Sequence, residues 1–122
     1  MEFNKVEPIY TQIIEDIKLK IINGTYLPGQ EIPSRRQLAK DLGVNPNTIQ
    51  RAYREMEEKK LIVTSRGQGS FITSDQTIIN SLKDEALSRV VSQSVEKLRS
   101  FGRSDHEIIE LIQKFMKGEH RK

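Results

Sequence analysis

Ile32-Pro33-Ser34-Arg35-Arg36-Gln37-Leu38-Ala39 leads into Leu42-Gly43-Val44-Asn45, then Pro46-Asn47-Thr48-Ile49-Gln50-Arg51-Ala52-Tyr53-Arg54, and a glycine-containing stretch follows as far as Phe71. Two short helix-forming segments around a tight turn, followed by a hairpin, make the layout of a winged helix-turn-helix. In that layout one short helix braces a second that can lie in a DNA major groove. The fold is therefore expected to be mainly α with a small β-hairpin, and DNA binding is the leading functional expectation.

Local signals specify both helices. Ser34 with Gln37 three residues on reads as a capping box, Leu38 and Leu42 face inward, and Gly43 is placed to stop the helix. Asn45 is a good N-cap, and Pro46 at the first helical position needs no amide donor. Ile49, Ala52, Tyr53 and Met56 stand at i, i+3, i+4 and i+7, which defines a buried face. Asn47, Arg51 and Arg54 then project from the opposite side, with Gln50 on its flank. Asn and Gln can pair bidentately with adenine, and Arg with guanine, so this face suits base edges. Charge concentrates here too: between residues 34 and 54, Arg35, Arg36, Lys40, Arg51 and Arg54 oppose Asp41 alone.

Leu61-Ile62-Val63-Thr64 and Ser70-Phe71-Ile72-Thr73 are β-prone runs around Ser65-Arg66-Gly67-Gln68-Gly69, which makes the wing. Arg66 near the tip is suited to a minor groove or a phosphate, and the glycines accommodate positive φ. The spacing and the Lys-Ser/Thr of a nucleotide-binding loop are missing, so this is a hairpin turn. Upstream, Ile9, Ile13, Ile14, Ile17 and Ile21 form the stripe of an amphipathic scaffold helix that Asn23-Gly24 terminates.

At these residues the chain resembles the GntR family of bacterial transcription regulators. The resemblance rests on Ile32-Pro33-Ser34, Arg36, Leu38-Ala39, Leu42-Gly43-Val44, Leu61-Ile62 and Gly67-Gln68-Gly69-Ser70-Phe71-Ile72, within about residues 8 to 73. Arg51-Ala52-Tyr53 and the short C-terminal region look like the YtrA-type branch, whose members act as dimeric regulators, often of transporter operons. The resemblance implies DNA contacts at Arg36, Asn45, Pro46, Gln50 and Gly67. Pro46 and Gln50 stand where arginine is common in the family, so Asn47, Thr48 and Arg51 are expected to take a larger share of readout. Lys60 stands in place of a usual glycine, at a cost of up to about 1 kcal/mol if the backbone there is left-handed.

Composition sets the bounds. With 122 residues and 35% apolar content, a monomer has room for a modest core only, and a partner subunit would help. No apolar run approaches the roughly 18 residues of a membrane span, and the start lacks the apolar core of a signal peptide, so a cytoplasmic location is expected. The absence of cysteine excludes disulfides and thiolate metal sites. A net charge of +3 is mild and decides nothing by itself.

Residues 1–74 are read as the DNA-binding domain and 75–122 as a helical dimerisation segment. Asp75 is a plausible cap for a long helix that Gly102 breaks, and Ser104 with Glu107 opens a second one. Two helices cannot enclose their own apolar stripes. Self-association through Leu87, Val91, Val95, Leu98, Phe101, Ile108, Ile112 and Phe115 is therefore expected, folding back onto the chain's own core being the alternative. A two-fold dimer places two recognition helices about one duplex turn, roughly 34 Å, or a multiple apart, and so predicts an inverted-repeat operator. Any small-molecule effector is expected at the dimer interface or between hairpin and head.

Catalysis has little support. His106 and His120 have no partners at metal-ligand spacing, Glu55, Glu57 and Glu58 read as a solvated face, and no cofactor or metal is implied. The tail from Lys117 is at most a nonspecific phosphate contact. The expected activity is a homodimeric, sequence-specific regulator, most simply a repressor by promoter occlusion. In it Arg35, Arg36, Lys40 and Arg54 hold phosphates, Asn45, Asn47, Thr48, Gln50 and Arg51 read bases, and Arg66 with Gly67 docks the wing. The alternative is a winged helix that binds proteins and reads no DNA sequence.

Overall fold

The computed structural model describes residues 1–119, so His120 and the end of the basic tail lie outside the described residues. In chain order the elements are α1 (Ile9–Ile22), β1 (Glu31–Ile32), α2 (Arg35–Leu42), α3 (Pro46–Glu58), β2 (Ile62–Ser65), β3 (Gly69–Ile72), α4 (Gln76–Ser100) and α5 (Asp105–Lys117). They form two compact units that divide between Lys83 and Asp84.

The first unit closes around one core. Ile13, Ile14, Ile17 and Ile21 of α1 meet Ile49, Ala52, Tyr53 and Met56 of α3, with Ile32, Ile62 and Ile72 from the strands. Ile49, Ala52, Tyr53 and Met56 are wholly buried, as their spacing predicts. Each large apolar side chain removed from water contributes about 1.5–3 kcal/mol, so α3 is held mainly by this face. Tyr53 keeps its one polar atom satisfied by donating to the Pro33 carbonyl at 2.5 Å. Burial pushes its phenol well above the ordinary value, so it stays neutral and ties the lead-in of α2 to α3.

The wing is a three-stranded antiparallel sheet, ordered β1-β3-β2, rather than the hairpin alone. Glu31 and Ile32 pair with Phe71 and Ser70, while Ser65 faces Gly69 at the tip. The Gln68 amide donates to the Ser65 carbonyl at 3.0 Å, and Gly67 sits at φ 77° in the third position of that turn. Positive φ at this position is what a type II turn requires.

Helix ends follow their predicted chemistry with one difference. Ser34 Oγ accepts from the Gln37 amide at 3.1 Å, but the Gln37 side chain donates to Asp41 instead of returning to the cap, so only half of the capping box forms. Asn45 Oδ1 accepts from the Asn47 amide at 2.8 Å, with Pro46 following as the first helical residue. After α2, Gly43 is left-handed and Val44 N–H reaches the Ala39 carbonyl, a Schellman closure. After α3, Leu61 N–H reaches Met56 and Lys60 N–H reaches Glu57 in the same pattern. Lys60 therefore occupies the left-handed position with φ 63°, alone among the described non-glycine residues.

Asp75 accepts from the Thr77 amide at 2.9 Å and starts α4. Ile79 and Leu82 in its first two turns join the core, which is why the first unit runs on to Lys83, beyond the residue-74 boundary expected from sequence.

The second unit contains the rest of α4, a corner at Gly102 with φ 81°, and α5. The corner is built from polar contacts: Arg99 grips both oxygens of Asp105 at 2.9 Å, and Ser104 and Glu107 form a complete, reciprocal capping box. Hydrogen bonds from Arg99 hold the Asp105 carboxyl below its usual range, and the Ser104 amide does the same for Glu107. Ile108 is buried within the chain, but Leu87, Val91, Phe101, Ile112 and Phe115 remain exposed, with Val90, Ile109, Leu111 and Met116 beside them.

Candidate nucleic-acid interface

The first unit presents polar groups where its core leaves them. Asn47, Arg51 and Arg54 are exposed on α3, opposite the buried face, and Gln50 and Thr48 are half-buried at its margins. Pro46 is exposed at the helix start. Arg36 and Lys40 are exposed on α2, and Arg66 with Gly67 on the wing tip. None of Arg36, Lys40, Arg54 and Arg66 has a carboxylate within ion-pair distance among the described residues. Cations left without internal partners are available to phosphate oxygens.

Arg35 is placed differently. It is half-buried, its Nη2 is bonded to Glu57 on α3, and its guanidinium lies over the Tyr53 ring at 5.8 Å. Its Nε is buried without a partner. A phosphate contact at Arg35 would have to replace an existing internal one, and this pair links α2 to α3. Sequence spacing showed Glu57 only as part of a solvated helix face, because its partner lies 22 residues away.

Asn45 is also constrained by its role in the fold. Its Oδ1 accepts the Asn47 amide at the helix cap, which fixes the orientation of the side-chain amide and leaves its NH₂ free to donate. The bidentate adenine pairing open to an unconstrained Asn needs acceptor and donor together. Asn47 and Gln50 carry amides that no internal hydrogen bond occupies among the described residues.

Arg51 has a partner that the sequence did not reveal. Its guanidinium stacks at 3.9 Å from the centroid of the Tyr10 ring and donates to the Tyr10 hydroxyl at 3.1 Å. Tyr10 stands beside Ile9 in the first turn of α1, where its spacing announces packing with Ile13 and Ile14 but no contact 41 residues away.

In the second unit, Leu87, Val91, Phe101, Ile112 and Phe115 are exposed as a self-association surface requires, Val95 and Leu98 are half-buried, and Ile108 is already covered by its own chain. A shallow concavity of about 620 Å³ at the corner is bordered by Leu98, Phe101, Ile108 and Leu111. His106 is engaged with Glu110 at 2.9 Å on the surface, and no cluster of three metal-ligating side chains occurs among the described residues. No described helix is long and apolar enough to cross a membrane.

Residues 9–72 match the family model for bacterial regulatory proteins of the gntR family. The uncharacterized HTH-type transcriptional regulator YhcF of Bacillus subtilis (strain 168) is 38% identical over 117 residues, covering 96% of this chain and 97% of its own length. The HTH-type transcriptional repressor YtrA of the same organism is 44% identical over 66 residues, which is 54% of this chain and 51% of YtrA. Among solved structures, a GntR family transcriptional regulator from Listeria monocytogenes superposes with a TM-score of 0.86 at 38% identity, covering 92% of this chain and 98% of that one. A helix-turn-helix with an exposed polar face, a β-wing, and likeness along nearly the whole chain agree: this protein belongs to the GntR family and is a DNA-binding transcription regulator, not an enzyme.

Proposed function

We propose that the chain acts as a homodimer that recognises an inverted-repeat operator through α3 and represses by occupying the promoter. The observation that carries this reading is the division of the polar groups in the first unit. Arg35, Ser34 and the Asn45 carbonyl are used within the fold, whereas Arg36, Lys40, Asn47, Gln50, Arg54 and Arg66 are left without internal partners. Arg36, Lys40, Arg54 and Arg66 contact phosphates, with the amide of Asn45 as a further phosphate donor. Asn47, Thr48, Gln50 and Arg51 read base edges, and Gly67 lets the wing backbone approach the duplex. Arg35 acts as a tie between the two helices.

Dimerisation is supported by the apolar side chains that the second unit leaves in water, a set too large for scattered surface residues. A second copy offering the same surface is the simplest cover. Residues 1–74 carry recognition and 75–122 association, in a cytoplasmic protein. The name of its relative YtrA supports the repressor reading, and kinship with that branch makes a transporter operon the first target class to examine.

Selection of bound duplexes from a random pool tests these points together. The expected product is a two-fold symmetric motif whose half-sites repeat at about a helical turn or a multiple, bound with a steep negative salt dependence. Enrichment of no motif, with binding insensitive to salt, would identify a protein-binding winged helix instead.

A further inference from the structure

Arg51 differs from the other exposed cation of α3, Arg54, in having a platform. Its guanidinium lies 3.9 Å from the centre of the Tyr10 ring and one Nη2–H is bonded to the ring's hydroxyl at 3.1 Å. Tyr10 is half-buried against the shared core of α1 and α3, so packing fixes the ring and the ring restrains the arginine. The remaining N–H groups of Arg51 make no hydrogen bond among the described residues. A free arginine side chain gives up rotamer entropy when immobilised, and one already restrained gives up less on binding.

A stacked guanidinium has its donors confined to a plane, an arrangement that suits guanine O6 and N7 better than a phosphate approached from any side. We infer that Tyr10 is a specificity-determining positioning residue: from the scaffold helix it orients Arg51 on the recognition helix so that this arginine reads guanine within each half-site. The inference rests on the DNA-reading function proposed above. It adds α1 to the elements that determine sequence preference, although Tyr10 itself need touch no base.

The test uses the full chain and two probes, the duplex selected by the wild type and a scrambled duplex of the same composition. Tyr10→Leu is expected to weaken binding to the selected duplex about three- to tenfold, from loss of the ring contact and of the restraint, and to the scrambled duplex less than about twofold. Tyr10→Phe keeps the ring and should fall between. Arg51→Lys, an exposed change that leaves the core intact, should lose at least as much as Tyr10→Leu, and the double variant no more than Arg51→Lys alone. Repeating the selection on Tyr10→Leu should relax one guanine position per half-site and leave the others sharp, which a merely structural role would not do. Equal losses on both duplexes, additive losses, an unchanged motif or tighter binding by Tyr10→Leu would each overturn the inference. A wild type that enriches no sequence would instead refute the function on which it rests.

Discussion

The two units of this chain leave opposite kinds of chemistry unsatisfied. In the first, an apolar core is enclosed and amides and guanidiniums of α2, α3 and the wing remain at the surface; in the second, the polar groups at the Gly102 corner are bonded to one another and most of the large apolar groups face water. Unused hydrogen-bonding capacity suits a nucleic acid, and unused hydrophobic area suits another protein surface. What each part binds follows from what its own folding does not use.

That contrast breaks most severely at the core. Ile49→Ala removes a wholly buried side chain on α3 and is expected to cost about 2–5 kcal/mol, read as a lowered urea midpoint. An apolar-to-Ala change at exposed Val91 should leave the urea midpoint of the dilute monomer almost unmoved. Val91→Glu is the next strongest. By placing a charge on the proposed association surface it should give a monomer in sedimentation equilibrium, and loss of bivalent contact should weaken operator binding by about a hundredfold or more. A variant that remains dimeric would remove Val91 from the interface.

Within the first unit, Gln50→Ala is expected to cost about 1–3 kcal/mol on a selected duplex with little loss on random DNA, while Arg36→Ala weakens both and lowers the salt slope by about 1. Titrations of both duplexes at several salt concentrations separate these outcomes. The smallest expected effect is a gain. Lys60→Gly relieves the left-handed backbone at φ 63° and should stabilise the first unit by about 0.5–1 kcal/mol in thermal or urea unfolding, with operator affinity unchanged.

The helices and their order were legible in the sequence because each carries an apolar stripe at helical spacing and a recognisable cap or stop, as at Asn45-Pro46, Gly43 and Ser104. The strand β1 was not, since two residues ahead of Pro33 have no periodicity and are paired only through β3, far along the chain. The Schellman closure at Lys60 was readable only as the displacement of an expected glycine. The candidate site was legible as a list of polar side chains, and less so as a division of labour. Which of those residues the fold keeps for itself depends on contacts such as Arg35 with Glu57 and Arg51 with Tyr10, which no local pattern encodes.

The cap at Asn45 limits how the protein can change its target. Because one atom of that amide begins α3, exchanging the residue loosens the frame on which its neighbours stand; replacement of an N-cap by Ala costs about 1 kcal/mol. Drift in operator preference along this lineage should therefore run through positions 47, 50 and 51, where a side chain can be exchanged without disturbing the helix start.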